Sequence, residues 1–302
     1  MRRVPTEDNH TDILTKSLGH QLFRYHTNNI GFERVDEFLH RIMCRLPGEN
    51  SCISCRKAPI SGSLPFCWRC YRKAISEAPT ITEIPEDHKK YKSVRDQFRQ
   101  KWLHDDGCPE VRAIYKIVYT NLNIAKYKQY LEKVEAKGNF VLRAGSRGNE
   151  RRRWHGTTRT CNIGDKGVTR FCSDPMCSLC CIMKTSFDIL FFSSRTNFGR
   201  FGAGIYTSST SSKSDSYSQN GCTSNWKAML LNNVVVGEGY KTLVDDTSLT
   251  EPPAGYDSVL GEVGGSLNYD ELVVYDNDAI RPSYLVMYDI PGRTPSSSSP
   301  DV

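Results

Sequence analysis

No run of eighteen apolar residues occurs anywhere in the 302-residue chain, so a membrane-spanning helix is not expected. The opening stretch MRRVPTEDNHTDILTK has no apolar core of the kind a secretory signal needs. Internal repeats are absent, which argues against a solenoid or propeller. No extended Lys/Arg run is present either: Arg151-Arg152-Arg153 is too short to read as a nuclear import signal. What remains is a chain with 38% hydrophobic and 25% charged residues, a composition that supports a folded core and not a disordered one.

Charge and cysteine are the features in excess. Residues 89–153 hold 17 Lys/Arg against 7 Asp/Glu, and residues 241–290 hold 2 against 10. Such asymmetry can steer an anionic ligand or nucleic acid, or it can belong to solvated helix faces and loops. Twelve cysteines without an export signal suggest thiolates that hold metal in a reducing compartment, hence an intracellular location in nucleus or cytoplasm.

Periodicity divides the chain. Residues 1–48 form an N-terminal helical segment, in which Phe32, Val35, Phe38, Leu39 and Ile42 recur at helical spacing. Residues 49–75 form a cysteine module. Residues 76–94, with two prolines and many charges, suggest a linker. A large domain is expected over 95–290. It contains a helix with Leu122, Ala125, Tyr130, Leu131 and Val134 on one face, Asn121 as N-cap and Gly138 at the C-cap. VRAIYKIV is ambiguous between strand and helix. MLLNNVVV, ELVVYD and YLVMYD suggest strands. The Ser-rich stretch 207–221 suggests a long loop, and 291–302 a disordered tail.

Cys52-x-x-Cys55 and Cys67-x-x-Cys70 are two knuckles eleven residues apart, enough for a four-thiolate structural zinc. The alternatives are a metal-free loop pair or redox-active pairs. Cys161, Cys172, Cys177, Cys180 and Cys181 lie within 21 residues and offer a second set. Adjacent thiolates rarely share one zinc, so Cys180 is preferred over Cys181. The alternative is buried thiols acting as small apolar groups.

Three further motifs occur in order: Trp154-His155-Gly156-Thr157; Phe201-Gly202-Ala203-Gly204-Ile205-Tyr206 followed by Ser211-Ser212-Lys213-Ser214; and Tyr269-Asp270-Glu271-Leu272-Val273-Val274-Tyr275. Each is weak alone. Together they resemble the catalytic domain of the poly(ADP-ribose) polymerase family, of the His-Tyr-Glu type, over about residues 95–290. GYDSVLG, YDELVVYD and PSYLVMY are most similar to tankyrases. The resemblance implies an α+β fold with split antiparallel β-sheets around a NAD cleft, here preceded by the helical segment and the small zinc-binding module. It implies transfer of ADP-ribose from NAD to a macromolecule, expected to be protein, with release of nicotinamide.

By the same resemblance, His155 holds the adenosine ribose and the Gly156 backbone holds the carboxamide, with Thr157 in place of the usual serine. Tyr206 is the first tyrosine of the cleft, Ser214 bonds the carboxamide, Tyr217 stacks on the nicotinamide, and Glu271 is the catalytic glutamate. The two glycines before Tyr206 permit close approach of backbone to ligand. One departure stands out. The gap from His155 to Tyr206 is longer than usual and contains the second cysteine cluster, where the tankyrase zinc site follows the later motif. The rival readings are a NAD glycohydrolase, a transferase acting on nucleic acid through residues 89–153 or the zinc module, and an inactive zinc-containing interaction module.

Overall fold

A computed structural model of the protein describes residues 48–60, 64–191 and 199–290. The expected helical segment before residue 48 and the tail 291–302 lie outside the described residues. The chain divides into two compact units, residues 1–71 and 72–302.

In the first unit the knuckles are built from short backbone contacts. Cys52 N–H donates to Ala58 O and Ile53 N–H to Pro65 O, at 2.7 and 2.9 Å. Cys52, Ile53, Phe66 and Cys67 are buried. Helix α1 (Trp68–Ser76) carries the last knuckle residue, Cys70.

In the second unit, strand β1 (Thr80–Glu83) is followed by helix α2 (Lys89–Gln100), β2 (Val111–Val118), helix α3 (Asn121–Gly138) and helix α4 (Phe140–Ala144). Then come β3 (Glu150–Gly156), β4 (Thr158–Arg159), helix α5 (Ser178–Thr185), β5 (Ile205–Thr207), helix α6 (Ser211–Asp215) and β6 (Gln219–Asn220). Strands β7 (Trp226–Val235), β8 (Gly239–Thr242), β9 (Ser258–Gly261), β10 (Glu271–Val274) and β11 (Ile280–Asp289) complete it. A five-stranded sheet runs β1-β2-β11-β7-β3, and a four-stranded sheet runs β5-β10-β9-β8. All pairings within the first sheet are antiparallel, and β8–β9 is the one parallel pair in the second. This is the split-sheet α+β architecture the motifs implied.

The central strands explain themselves. In β11 every residue but Asp289 is buried, and in β7 seven of ten are; the stretches 228–231 and 284–288 are accordingly apolar on both faces. VRAIYKIV resolves as β2, whose register against β11 pairs Ile114 with Val286 and Tyr115 with Leu285.

Several local expectations change. Residues 76–94 are not a plain linker: Ile81 and Ile84 are buried and β1 closes the edge of the main sheet beside β2. Prolines and charge hid a short strand whose buried residue faces a partner 36 positions later, Ile81 opposite Ile117. The α3 caps shift by one. Thr120 is the N-cap, accepting from Asn123 N–H, and Asn139, in the left-handed region, is the C-cap. Leu122 is exposed and Tyr127 is buried instead, because this helix meets the sheet through Val134, Tyr127 and Val235.

The Ser-rich stretch is not a loop throughout. It holds α6, and its hydroxyls have assignments: Ser211 Oγ donates to Phe98 O at 2.7 Å, and Ser212 Oγ accepts from Leu103 N–H at 3.0 Å. Ser208 and Ser209 hydroxyls donate to Asp270 at 3.0 and 2.7 Å.

Candidate active site and thiol clusters

The two sheets meet at their edges. Trp154 of β3 exchanges backbone hydrogen bonds with Ser208, just past β5, at 2.8 and 3.1 Å. Beside β5 runs β10, with Leu272 opposite Thr207 and Val273 opposite Tyr206. Three adjacent backbones therefore bring His155, Tyr206 and Glu271 to one seam, although 116 residues separate the first from the last. His155 Nδ1 bonds the carbonyl of Tyr206 at 2.8 Å, which fixes Nδ1 as the protonated nitrogen of a neutral ring and leaves Nε2 as the acceptor. Burial holds the His155 pKa below the ordinary histidine value. The neutral ring is therefore favoured down to a lower pH than in a free histidine. Because the folded-state value is depressed, stability falls as the pH drops below the unfolded value of about 6.5. An NMR titration of the imidazole should show its midpoint below that of the free side chain.

Glu271 opens β10 and is buried. Its Oε1 accepts from Lys213 Nζ at 2.7 Å, and Lys213 also donates to the carbonyls of Tyr269 and Asp270, at 3.1 and 3.3 Å. Lys213 thus ties α6 to the mouth of β10 and sets the direction of the carboxylate. Glu271 Oε2 is buried with no hydrogen-bond partner in the protein. A buried carboxylate oxygen left bare is costly unless a ligand hydroxyl completes it.

Tyr217 follows α6. Its ring is exposed, yet partial desolvation of the phenol and the nearby Glu271 charge raise its pKa. The Glu271 charge also adds to the larger effect of burial in raising the pKa of Tyr206. Both tyrosines therefore share their surroundings with this carboxylate.

Gly156 lies under α6. A Cβ built there would stand 1.9 Å from Ser214 O and 2.9 Å from Ser218 N, so only glycine lets these backbones approach. Gly156→Ala is expected to cost about 1–3 kcal/mol of stability through forced backbone displacement, measurable by urea denaturation, and to weaken NAD binding with it. Ser214 is buried beside it, and Thr157 O accepts from Gln219 N–H at 3.3 Å. His155, Gly156, Thr157, Tyr206, Ser214, Tyr217 and Glu271 are thus gathered along one seam and its α6 cover.

The glycines before Tyr206 have a second reason beside the one expected. A Cβ at Gly202 would meet Leu249 O at 1.9 Å, and one at Gly204 would meet Val273 Cγ1 at 2.3 Å. At both positions the missing side chain also admits neighbouring protein. The turn is pinned by tyrosine hydroxyls: Tyr206 donates to Gly202 O at 2.8 Å and Tyr275 donates to Phe201 O at 2.6 Å.

Both thiol sets assemble. Sγ atoms of Cys52, Cys55, Cys67 and Cys70 lie within 4.8 Å of one another, as do those of Cys161, Cys172, Cys177 and Cys180. Cys181 falls outside the second set and lies against Pro175 O. A tetrahedron with Zn–S bonds of about 2.3 Å has S···S edges of about 3.8 Å. The separations Cys55–Cys67, Cys161–Cys177 and Cys161–Cys180 are 3.9, 3.8 and 3.6 Å. A disulfide needs about 2.05 Å. Backbone N–H groups of Lys57 and Ala58 point at Cys55 Sγ, and those of Thr160 and Cys180 at Cys177 Sγ. Both donor sets fit a tetrahedral soft-ligand metal.

The basic stretch 89–153 is partly neutralised. Arg95, Arg99, Arg112, Lys137, Arg143 and Arg147 each pair with a carboxylate. Among the described residues no helix is long and apolar enough to cross a membrane.

Two largely antiparallel sheets meet at a seam that carries a histidine, two tyrosines and a buried lysine-paired glutamate. The match to the poly(ADP-ribose) polymerase catalytic domain covers residues 88–264, and this chain belongs to that family. It is 37% identical over 103 residues to human protein mono-ADP-ribosyltransferase PARP4, covering 32% of this chain and 6% of that protein. Mouse PARP4 is 36% identical over 103 residues, covering 32% of this chain and 5% of that protein. Mouse protein mono-ADP-ribosyltransferase PARP3 is 26% identical over 172 residues, covering 56% and 25%. The chain thus spans a quarter or less of the length of these relatives.

Lys213 is the functional residue that the motifs did not single out. It stood inside the quoted Ser-Ser-Lys-Ser run, but its contact with Glu271 crosses 58 residues.

Proposed function

We propose that this chain is an NAD-dependent ADP-ribosyltransferase that moves ADP-ribose from NAD to a protein side chain and releases nicotinamide. The observation that carries the reading is Glu271, buried at the seam with one carboxylate oxygen held by Lys213 and the other bare. Breaking the nicotinamide–ribose bond develops positive charge at C1′ and the ring oxygen, as in glycoside cleavage, and a fixed carboxylate stabilises it. Nicotinamide is already cationic when bonded to the ribose, so it departs without a proton.

His155, with Nδ1 satisfied by Tyr206 O, offers Nε2 to accept from a ribose hydroxyl. Gly156 supplies backbone groups to the carboxamide, Thr157 continues that strand edge, and Ser214 adds a hydroxyl. Tyr217 provides an exposed ring for stacking, and Tyr206 forms the opposite wall. Glu271 Oε2 is the free acceptor for the ribose 2′-hydroxyl. These residues mainly position the substrate, which is how oriented groups lower a barrier.

The relatives' names support a protein acceptor and transfer of a single unit. Structural Zn2+ in both thiol sets is part of the reading, with Cys52, Cys55, Cys67 and Cys70 holding one ion and Cys161, Cys172, Cys177 and Cys180 the other. Thiolate sites of this kind suit a reducing, intracellular compartment.

The test is incubation of the full chain with adenylate-labelled NAD and a cell extract. Label should pass to protein, resist nuclease and vanish in Glu271→Ala. Free ADP-ribose as the only product assigns a glycohydrolase instead, and nuclease-sensitive label assigns a nucleic-acid acceptor. NAD binding without turnover assigns an inactive module.

A further inference from the structure

Resting on the NAD reading above, we infer that the second thiol set is a clamp on the NAD cleft that acts through Phe187, a positioning residue for His155. The chain leaves His155 through Gly156, Thr157 and the short β4, and reaches the first thiol, Cys161, six residues on. The other three thiols sit on the turn and helix that follow, with Cys177 and Cys180 fully buried at the start of α5. Helix α5 ends at Thr185, and two residues later the Phe187 ring lies 4.9 Å from the His155 ring, at 88°. A single ion on the four thiolates therefore closes a covalent circuit. It joins the strand carrying His155 to the helix delivering Phe187.

The packing supports transmission along this circuit. Cys177, Leu179, Cys180, Met183 and Phe187 are buried in the same apolar cluster as Ile205 of β5 and Leu272 of β10, the strands that carry Tyr206 and Glu271. The far end of α5 is anchored independently, by Tyr119 Oη donating to Ile182 O at 3.2 Å and Ser186 Oγ donating to Ile280 O at 3.3 Å. Phe187 is thus held at both ends of a short rigid lever. On one side the imidazole is fixed by Tyr206 O; on the other it meets a perpendicular ring. Perpendicular aromatic contact is a favourable arrangement for such rings, and it limits rotation about the single Nδ1 hydrogen bond. The family motif explains why His155 is present but not why the segment between it and Tyr206 carries four converging thiols. Orientation of the imidazole from behind gives that segment a task, as outer groups do for directly acting ones.

The experiment uses the full chain and four variants. Phe187→Leu keeps apolar bulk and guards against misfolding. Phe187→Ala removes the ring, Cys172→Ser removes one of the two partly exposed thiols of the second set, and Cys55→Ser disables the first set as a control. Zinc content is measured by mass spectrometry, KM and kcat from nicotinamide release, NAD affinity by calorimetry in a Glu271→Gln background, and His155 titration by NMR.

Phe187→Ala should keep both zinc equivalents and raise KM and the NAD dissociation constant about tenfold, the lower end of effects expected for outer-sphere positioning groups, with kcat changed less. Phe187→Leu should show the same direction with a smaller size. Cys172→Ser should lose one zinc equivalent and show the same KM shift, while Cys55→Ser should lose the other equivalent and leave KM unchanged. In the Phe187 and Cys172 variants the His155 titration should move up toward the ordinary histidine range. Wild-type NAD affinity in Phe187→Ala overturns the positioning role. Wild-type affinity in a Cys172→Ser protein that has lost its zinc overturns the clamp. If the unaltered chain neither binds nor cleaves NAD, the proposed function fails, and the His155 titration alone decides the coupling: unchanged in Phe187→Ala and Cys172→Ser, it overturns it.

Discussion

Glu271→Gln is expected to slow nicotinamide release by about 10²–10³-fold, the range typical when one preorganised electrostatic group is removed from a reacting centre. The amide has the shape of the carboxylate and can still hydrogen-bond a 2′-hydroxyl. It lacks the negative charge that answers an oxocarbenium-like state. KM for NAD should change little, because ground-state contacts through His155, Gly156 and Tyr217 are untouched, and a loss confined to kcat marks an interaction made in the transition state. The substitution also leaves Lys213 Nζ without its acidic partner in a site where both side chains are largely buried. Uncompensated buried charge is destabilising by about 3–5 kcal/mol. A melting curve will therefore show a loss, which Lys213→Met added to Glu271→Gln should partly restore without restoring kcat. Steady-state kinetics and thermal denaturation on the three proteins separate the two effects. Wild-type kcat in Glu271→Gln would remove the charge from the mechanism and the proposed activity with it.

How much of this was legible before the structure depends on whether a residue's reason is local. Strands β7, β10 and β11 each contain a buried apolar stretch, and such stretches announce themselves. The thiol sets are legible because four thiolates around one ion impose short spacings, down to the choice of Cys180 over Cys181. His155, Tyr206 and Glu271 were legible as motifs, although their meeting required the β3–β5–β10 seam.

What stayed hidden was nonlocal. Ile81 and Ile84 lie among prolines and charges, and only β2 across the sheet makes them strand and core. Leu122 fits an apolar stripe, but α3 turns a different edge to the sheet. Lys213 and Phe187 look ordinary until Glu271 and His155 are placed beside them. Gly202 and Gly204 also make room for Leu249 and Val273, contacts no local pattern shows.

Stripping zinc from the first thiol set should unfold the segment around the knuckles while leaving the large sheets intact. The described part of that unit buries few apolar side chains, chiefly Ile53 and Phe66. A core that small does not balance the chain entropy of its own ordering. Structural zinc on thiolates contributes about 10–16 kcal/mol in small domains, and that binding energy is folding energy. The backbone contacts seen here, Cys52 N–H to Ala58 O and Ile53 N–H to Pro65 O, close two short loops beside the four thiols.

In hydrogen exchange, a strong chelator should expose the amides of Cys52 and Ile53 within the dead time, while the Leu230 and Leu285 amides of β7 and β11 stay protected. Metal analysis should count two ions before treatment. Both sets have two buried and two partly exposed thiols; the second, whose Cys177 and Cys180 belong to the large apolar cluster, should release its ion more slowly than the first, whose described surroundings bury few apolar side chains. Protection at Cys52 and Ile53 that survives complete loss of zinc would mean that the knuckles fold on their own. The four thiols would then be free for exchange chemistry instead of structure.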